Sequence, residues 1–561
     1  MPEPPELRSR RGRLAVDLTV ENARSADGSI RYCYRLSDGS ESPTLRVSPG
    51  DLLIIRLRNR LADLGRGRDG TATVPAPMHA PMAALAAPLP HDAHDAHGAA
   101  RRGDPCASGM MSLVSTNLHF HGLSVPARCH ADEVLRTSIQ PGDAPFEYRF
   151  RIPPDEPPGL YWYHPHIHGF SAAQVSGGAS GALIVEGLER SMPEIAGLPE
   201  RVLVIRDQSL VHPDAAPAAV DASSTPFVDH DGDAANTGTG FGRPARDLSV
   251  NFVPVPYPEY PTATLAMRGG ERQLWRVLNA SSVTYLNLGM IFTRPHWRRP
   301  QFLGLVAVDG APLNASGSPQ RSFEWRDHLL VPPGGRVEFI VTAPEAGTQA
   351  QLVTRYVDTG PAGENDPNRP LITIVTRADA PEPLARVPAP AAARQTRAAP
   401  ARTWIGDVAA VRTRKLIFSE EPVDPADPQG AMRFYLTVEG QTPKAFDAMS
   451  TVPNIVAHQG DVEDWVIENR SSELHAFHIH QIHFEIRDWL GVAVNEPFLR
   501  DTINVPYWTP SMAHYPSITL RMDFRDPDTV GLFPYHCHLL DHEDAGMMGV
   551  IRVEPPGAAP Q

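Results

Sequence analysis

The chain has 561 residues, 42% of them hydrophobic and 21% charged, and a formal net charge of −14. That length exceeds one ordinary domain, and the acidic balance excludes the basic stripe that a nucleic-acid partner needs. No apolar run of about 18 residues occurs, so no membrane span is expected, and 58 Pro favour short strands and loops over long helices.

Arg10-Arg11 invites a twin-arginine reading, but the segment after it, GRLAVDLTVENARS, lacks an apolar centre and reads as a first strand. No signal segment is therefore expected in this chain. Cys33 lies in the next apparent strand and is expected to be a buried free thiol. Gly50-Asp51 then leads into LLIIRLRN, which closes at Asn59. The same pattern returns at Gly270-Glu271 with RQLWRVLN, closing at Asn279, and at Gly460-Asp461 with VEDWVIEN, closing at Asn469. Each reads as a glycine turn, a strand entering a core, and an Asn that tolerates the following turn. Three copies imply three homologous β-units.

Residues 62–112 form an insertion holding Met78, His79, Met82, His91, His94, His97, Met110 and Met111. It reads as a surface loop; the sharper alternative is copper recruitment, since thioether and imidazole suit copper. A second polar insertion covers 211–248. TNLHFHG follows the first insertion and is flanked by Cys106 and Cys129, a pair compatible with a disulfide whose connectivity sequence does not fix. GLYWYHPHIHG runs on to SGALIVEG, just as GLFPYHCHLLDH runs on to MMGVIRVEP near the C-terminus. The middle unit has only an ordinary PPGGRVEFIV strand at 332–341. The expected division is 1–187, 188–377, an Ala/Pro/Arg-rich linker at 378–402 that cannot build a core, and 403–561. The fold class is all-β, with a β-sandwich or Greek-key barrel in each unit.

Four clusters carry ten of the 23 histidines: His119 and His121; His164 and His166; His475, His478 and His480; and His536, His538 and His542. A strand alternates its side chains, so His-x-His places two imidazoles on one face. In His536-Cys537-His538 the cysteine faces the other way and serves a different metal. Cys537, His475, His542 and the thioether of Met547 form the His₂Cys-plus-Met set of a blue-copper centre. Zinc has no use for the weak Met and passes no electrons along the Cys–His link.

In order and over the whole chain, these clusters resemble the four copper motifs of the multicopper oxidase family, which includes laccases, spore-coat-type laccases and bilirubin oxidases. The resemblance implies three cupredoxin-like domains and four copper ions. It implies a type 1 copper on His475, Cys537, His542 and Met547, and a type 2 copper on His119 and His478. One type 3 copper is implied on His121, His164 and His536, and the other on His166, His480 and His538. His168 and His483 extend their strands' alternation and are expected to be supporting residues. Glu543, directly after His542, and Asp132, in HADEVLR, resemble acids that serve dioxygen reduction in the family, a reaction that consumes protons.

The implied activity is one-electron oxidation of phenolic or aromatic small molecules coupled to four-electron reduction of dioxygen to water. The alternatives are a Cu(I) or Fe(II) oxidase, or a bilirubin oxidase, with the same machinery. A copper carrier is disfavoured because the ligand set wires one site to another. The protein is expected to be monomeric and secreted or periplasmic, with a cytoplasmic or spore-associated location left open.

Overall fold

The structure, a computed structural model, describes the chain except residues 26–27, 65–103, 110, 216–241, 315–322, 384, 389–403, 428–429, 449, 451, 495, 497 and 558–561. Met78, His79, Met82, His91, His94, His97 and Met110 therefore lie outside the described residues, as do most of the 211–248 insertion and the end of the linker.

Strand alternation builds the sheets. Along Arg13–Arg24 the residues Leu14, Val16, Leu18 and Val20 point inward while their neighbours face out, and Ile518, Leu520 and Met522 do the same along Ser517–Asp523. Six sheets form, and they pair by shared hydrophobic clusters. A four-stranded sheet (Ile30–Arg35, Arg13–Arg24, Leu52–Asn59, Phe146–Arg151) and a five-stranded one ending on Gly159–His164 and His119–His121 enclose the first cluster. A nine- and a six-stranded sheet enclose the middle one. A second six-stranded sheet, with Val462–Asn469 at its centre, and a second five-stranded one enclose the last. Among the described residues no helix is long and apolar enough to cross a membrane.

The three-fold repeat recurs in detail. Leu52–Asn59, Arg272–Asn279 and Val462–Asn469 each pair parallel with one strand (Arg13–Arg24, Pro199–Gln208, Arg412–Pro422). Each also pairs antiparallel with another (Phe146–Arg151, Arg336–Thr342, Ser517–Asp523). The closing Asn differs from expectation, because its side chain rather than its backbone freedom is what the fold uses. Asn59 donates to the carbonyls of Val114 and Ile139 and accepts from Leu61 N. Asn279 donates to those of Thr284 and Val331 and accepts from Ser281 N. Asn469 donates to those of Glu473 and Val505 and accepts from Ser471 N. A buried amide thus ties together three backbone groups from separate segments.

The first and middle sheet pairs meet over Leu160, Trp162, Ile184, Val202 and Leu278 and over a buried ionic chain, Arg46–Glu200–Arg276–Glu338. Glu338 also accepts from Leu160 N at 2.7 Å. The first and last pairs meet where the short helices Ser171–Ser176 and Leu540–Asp544 pack, with the Asp544 carboxylate accepting from Ser171 N and Ala172 N at 3.0 and 2.9 Å. Cys106 and Cys129 are disulfide-bonded, and Cys33 is a buried free thiol as expected.

Asn279→Ala removes one such clip from the middle sheet pair. It is expected to cost on the order of 3 kcal/mol, because buried backbone groups lose their partner; calorimetry should record a lowered thermal midpoint.

Candidate metal centre

Two antiparallel ladders bring the histidine motifs together. His119 lies opposite His164 where His119–His121 pairs with Gly159–His164, and His478 lies opposite His536 where His475–Ile479 pairs with Gly531–Cys537. Both ladders edge the junction between the first and last sheet pairs. His119, His121, His164, His166, His478, His480, His536 and His538 are all buried there.

Nitrogen atoms of His166, His480 and His536 gather within 4.8 Å of one another, as do those of His119, His121 and His164 and of His119, His478 and His480. His538 instead has its ring 5.0 Å from that of His121 and 5.8 Å from that of His164. The expected grouping is therefore corrected for His536, which sits with His166 and His480 rather than with His121 and His164. Antiparallel pairing is the reason. Beyond the His478–His536 pair the register runs in opposite senses, so His480 N meets Pro534 O while His538 N meets Ala476 O.

The environment of these rings matches metal ligands. For most of them one ring nitrogen is tied to the protein and the other has no partner. His119 Nδ1 lies 3.0 Å from both Asp132 carboxylate oxygens, His164 Nδ1 2.9 Å from Pro165 O, and His478 Nδ1 2.8 Å from Asp501 O. His121 Nε2 lies 3.1 Å from Asp501 Oδ1. The opposite nitrogens (His119 Nε2, His164 Nε2, His478 Nε2, His121 Nδ1) are buried without partners, as are His480 Nδ1 and both nitrogens of His538. Burial, reinforced by neighbouring imidazoles, holds the His119, His166, His480 and His538 rings far below their ordinary pKa. His164 falls to about 3 and His536 to about 4, again through burial. Neutral imidazoles aiming bare lone pairs at a shared space fit copper and leave no proton to displace.

Next to this cluster lies a second, smaller site. Cys537 Sγ is 3.6 Å from His475 Nδ1 and 3.9 Å from His542 Nδ1, in a core that also holds Met547. Cys537 N donates to Met547 O. His475 packs against Phe418 and His542 stacks on Phe434. The outer ring nitrogens meet carboxylates: His475 Nε2 lies 3.1 Å from Glu420 Oε1 and His542 Nε2 2.8 Å from Glu473 Oε1, with Ser471 Oγ 2.8 Å from His475 Nε2. Burial alone would raise the Glu420 carboxyl, but His475, His542 and Ser471 outweigh it and hold it below its ordinary value. Burial raises the Cys537 thiol.

Asp132 and Glu543 are both buried against the cluster. Asp132 also accepts from Phe120 N and Gln481 Nε2, and burial pushes its carboxyl up to about 8. Glu543 Oε1 accepts from Ser171 Oγ and lies 3.7 Å from His166 Nδ1, and burial holds its carboxyl well above its ordinary value. His168 and His483 stand apart: His168 packs on Phe446, and His483 Nε2 contacts Asp309 O. Sequence reasoning missed Arg336, Asp501, Thr502, Glu420, Ser471, Glu473 and Gln481. Asp501 and His121 are 380 residues apart, and no spacing signal links them.

A multicopper oxidase family model matches residues 424–557 and another matches residues 113–190, the stretches that carry these motifs. The chain belongs to the multicopper oxidase family. It is a copper-dependent oxidoreductase that acts on small molecules with dioxygen as acceptor. It is 22% identical over 509 residues to multicopper oxidase LPR1 homolog 1 of Oryza sativa subsp. japonica, covering 80% of this chain and 76% of that one. The McoA multicopper oxidase 2F4 variant of Aquifex aeolicus shares its fold at a TM-score of 0.64 and 16% identity, with 99% of each chain covered. A metallo-oxidase from Campylobacter jejuni does so at 0.61 and 22%, over 99% of this chain and 95% of that one. The cupredoxin-like all-β architecture expected from sequence is thereby borne out.

Copper uptake by the metal-free chain at neutral pH is expected to release about one proton more than uptake by Cys537→Ser, because the raised thiol must ionise to ligate and serine brings no such proton. Titration calorimetry in buffers of different ionisation enthalpy measures the difference.

Proposed function

We propose that this family member is a four-copper oxidase that takes single electrons from a donor at His475, Cys537 and His542 and delivers them to dioxygen, reduced to water, at the eight-histidine cluster. His475, Cys537 and His542, with Met547 as axial ligand, would hold the type 1 copper, and His119 and His478 the type 2. His121, His164 and His538 would hold one type 3 copper, and His166, His480 and His536 the other. We read the chain accordingly as three units, 1–187, 188–377 and 403–561, joined in part by the 378–402 linker. The observation that carries this reading is the pairing of a buried thiol with two imidazoles directly beside a nest of unpartnered imidazole nitrogens.

Bound copper would supply one-electron redox chemistry and a seat for dioxygen. The chain's own residues do the rest. Cys537 is bonded through its backbone to both His536 and His538, so the two sites share one strand. Asp132 fixes the His119 ring and, through Gln481, the turn after His480. Burial holds the Glu543 carboxyl above its ordinary value, which favours its protonated form; a proton held beside His166 is where dioxygen reduction needs one.

The donor follows from the outer edge of the electron-accepting site. Glu420 and Glu473 place carboxylate oxygens against the outer nitrogens of both His475 and His542, which favours a cationic donor, a reduced metal ion such as Cu(I) or Fe(II). A different observation supports the phenolic reading. A surface cavity of about 360 Å³, lined by Glu468, Trp508, Met512, Ala513, His514 and Tyr515, is linked to His475 through Ser471, whose carbonyl accepts from Trp508 N and whose hydroxyl meets His475 Nε2. An aromatic molecule stacked there would be joined to His475 through Ser471.

Oxygen uptake with Cu(I), Fe(II), bilirubin and a phenol decides between them. Glu420→Gln with Glu473→Gln is expected to lower metal-ion turnover at least about tenfold, the loss of roughly 1.4 kcal/mol of cation attraction, and to leave phenol turnover at or above the wild-type level. Equal losses with both donors would sink the metal reading. Copper analysis should find four ions per chain, and three with no intense blue absorption in Cys537→Ser.

A further inference from the structure

The middle sheet pair supplies no histidine to the cluster, yet one of its side chains reaches it. Arg336 begins the strand Arg336–Thr342 and is wholly buried. Its donors span all three sheet pairs. The backbone N–H goes to Asp309 Oδ1 at 2.9 Å, Nε to Leu160 O at 3.1 Å, and Nη1 to Gly334 O at 3.2 Å. Nη1 and Nη2 then grip the Asp501 carboxylate at 2.7 and 2.5 Å.

Asp501 is the residue through which two cluster histidines are held. Its Oδ1 faces His121 Nε2 at 3.1 Å and accepts from Thr502 Oγ1 at 2.8 Å, while its backbone oxygen faces His478 Nδ1 at 2.8 Å. The two rings stack with centroids 3.8 Å apart and planes 11° apart. A carboxylate at His121 Nε2 requires the N–H there and leaves the lone pair on Nδ1. A carbonyl at His478 Nδ1 requires the N–H there and leaves the lone pair on Nε2. Those are the two nitrogens buried without partners. Asp501 thus selects the tautomer of each ring, and opposite nitrogens are presented although the rings stack.

A free carboxylate turns about its last bond, and a fork of two parallel N–H groups stops it. The backbone is shaped for this contact: a Cβ on Gly122, the residue after His121, would stand 2.6 Å from Asp501 Oδ2 and against Arg336, and Gly122 has φ +88°.

We propose that Arg336 is a positioning residue for the dioxygen site: by gripping Asp501 with both ends of its guanidinium, it fixes the tautomer and aim of His121 and His478. The copper-free middle unit is thereby a working part of the cluster. This rests on the reading of the eight histidines as copper ligands.

The test compares copper-loaded Arg336→Lys, Asp501→Asn and Glu338→Gln with the wild type. Lys keeps the charge and loses the fork; Asn keeps the volume and loses the two-oxygen acceptor. Glu338→Gln damages the same junction, through the Arg276 pair, without touching Asp501. Copper content after dialysis against a graded chelator, the blue absorption and the electron paramagnetic resonance spectrum are read for each. Arg336→Lys and Asp501→Asn are expected to keep the blue absorption, to hold the cluster coppers about 10- to 100-fold more weakly, as loss of a partner behind a metal-bound histidine does, and to shift the cluster resonance. Glu338→Gln is expected to lower the thermal midpoint and to leave both copper signatures unchanged. Wild-type copper retention and spectra in Arg336→Lys would overturn the proposal, since charge alone would then suffice. Identical losses in Glu338→Gln would overturn it in favour of simple junction packing. Loss of the blue absorption in both Arg336→Lys and Asp501→Asn would overturn it too, because the proposal leaves that site intact. A wild type that binds only the blue copper would instead sink the reading of the histidine cluster.

Discussion

A neutral imidazole sealed from water with one nitrogen tied and the other bare is an unstable thing to bury. Each orphaned acceptor costs about 1–3 kcal/mol relative to the solvated ring, and the rings cannot escape the cost by taking protons, because burial and one another's proximity oppose charge. Several such rings sit in one space, their free nitrogens turned inward and their tied nitrogens turned toward Asp132, Asp501 and backbone carbonyls. The arrangement stabilises a bound electrophile at the expense of the empty fold. The sheets, the glycine next to His121 and the carboxylates behind the rings follow from that requirement.

Position within the sheets settles which rings share a space. A residue at a strand end can project beyond the sheet into a junction, while the next residue, on the other face, points into its own core. His536 and Cys537 divide in this way: His536 faces the junction of first and last sheet pairs, and Cys537 lies in the last hydrophobic cluster beside Met547. One peptide bond therefore separates a thiol in a dry core from an imidazole in the shared cluster. On the proposed reading, the short distance between the electron-accepting site and the oxygen-reducing one is a property of strand alternation.

Features that sequence spacing encodes were legible. The alternation of His-x-His, the embedded cysteine and the Gly-acid-strand-Asn repeat are local patterns, and local patterns survive translation into structure. Two readings shifted because they depended on partners that a single segment does not contain. The resemblance to the copper motifs put His536 with His121 and His164, whereas the antiparallel register sets it with His166 and His480. The closing Asn residues looked like turn formers, whereas their amides bind backbone groups up to 80 residues away. Arg336, Asp501, Glu420 and Glu473 were illegible for the same reason. An Arg, an Asp or a Glu in a strand is ordinary until the fold places it behind an imidazole.

On the proposed reading, the carboxylates at the electron-accepting edge act in two ways. A carboxylate against the outer nitrogen of a ligating imidazole makes that ring a stronger donor, and an axial thioether such as Met547 adds to the effect. Both favour the oxidised, more highly charged metal and so make the site a milder oxidant. The same oxygens give an approaching cation an electrostatic reason to pause at His475 and His542, where opposite charges a few ångströms apart in a poorly solvated edge attract strongly. A milder oxidant suits a donor that gives up its electron readily, which a reduced metal ion does more easily than a phenol. Driving force and selectivity then have one source, and a substitution at Glu420 or Glu473 that strengthens the oxidant also removes the attraction for its donor.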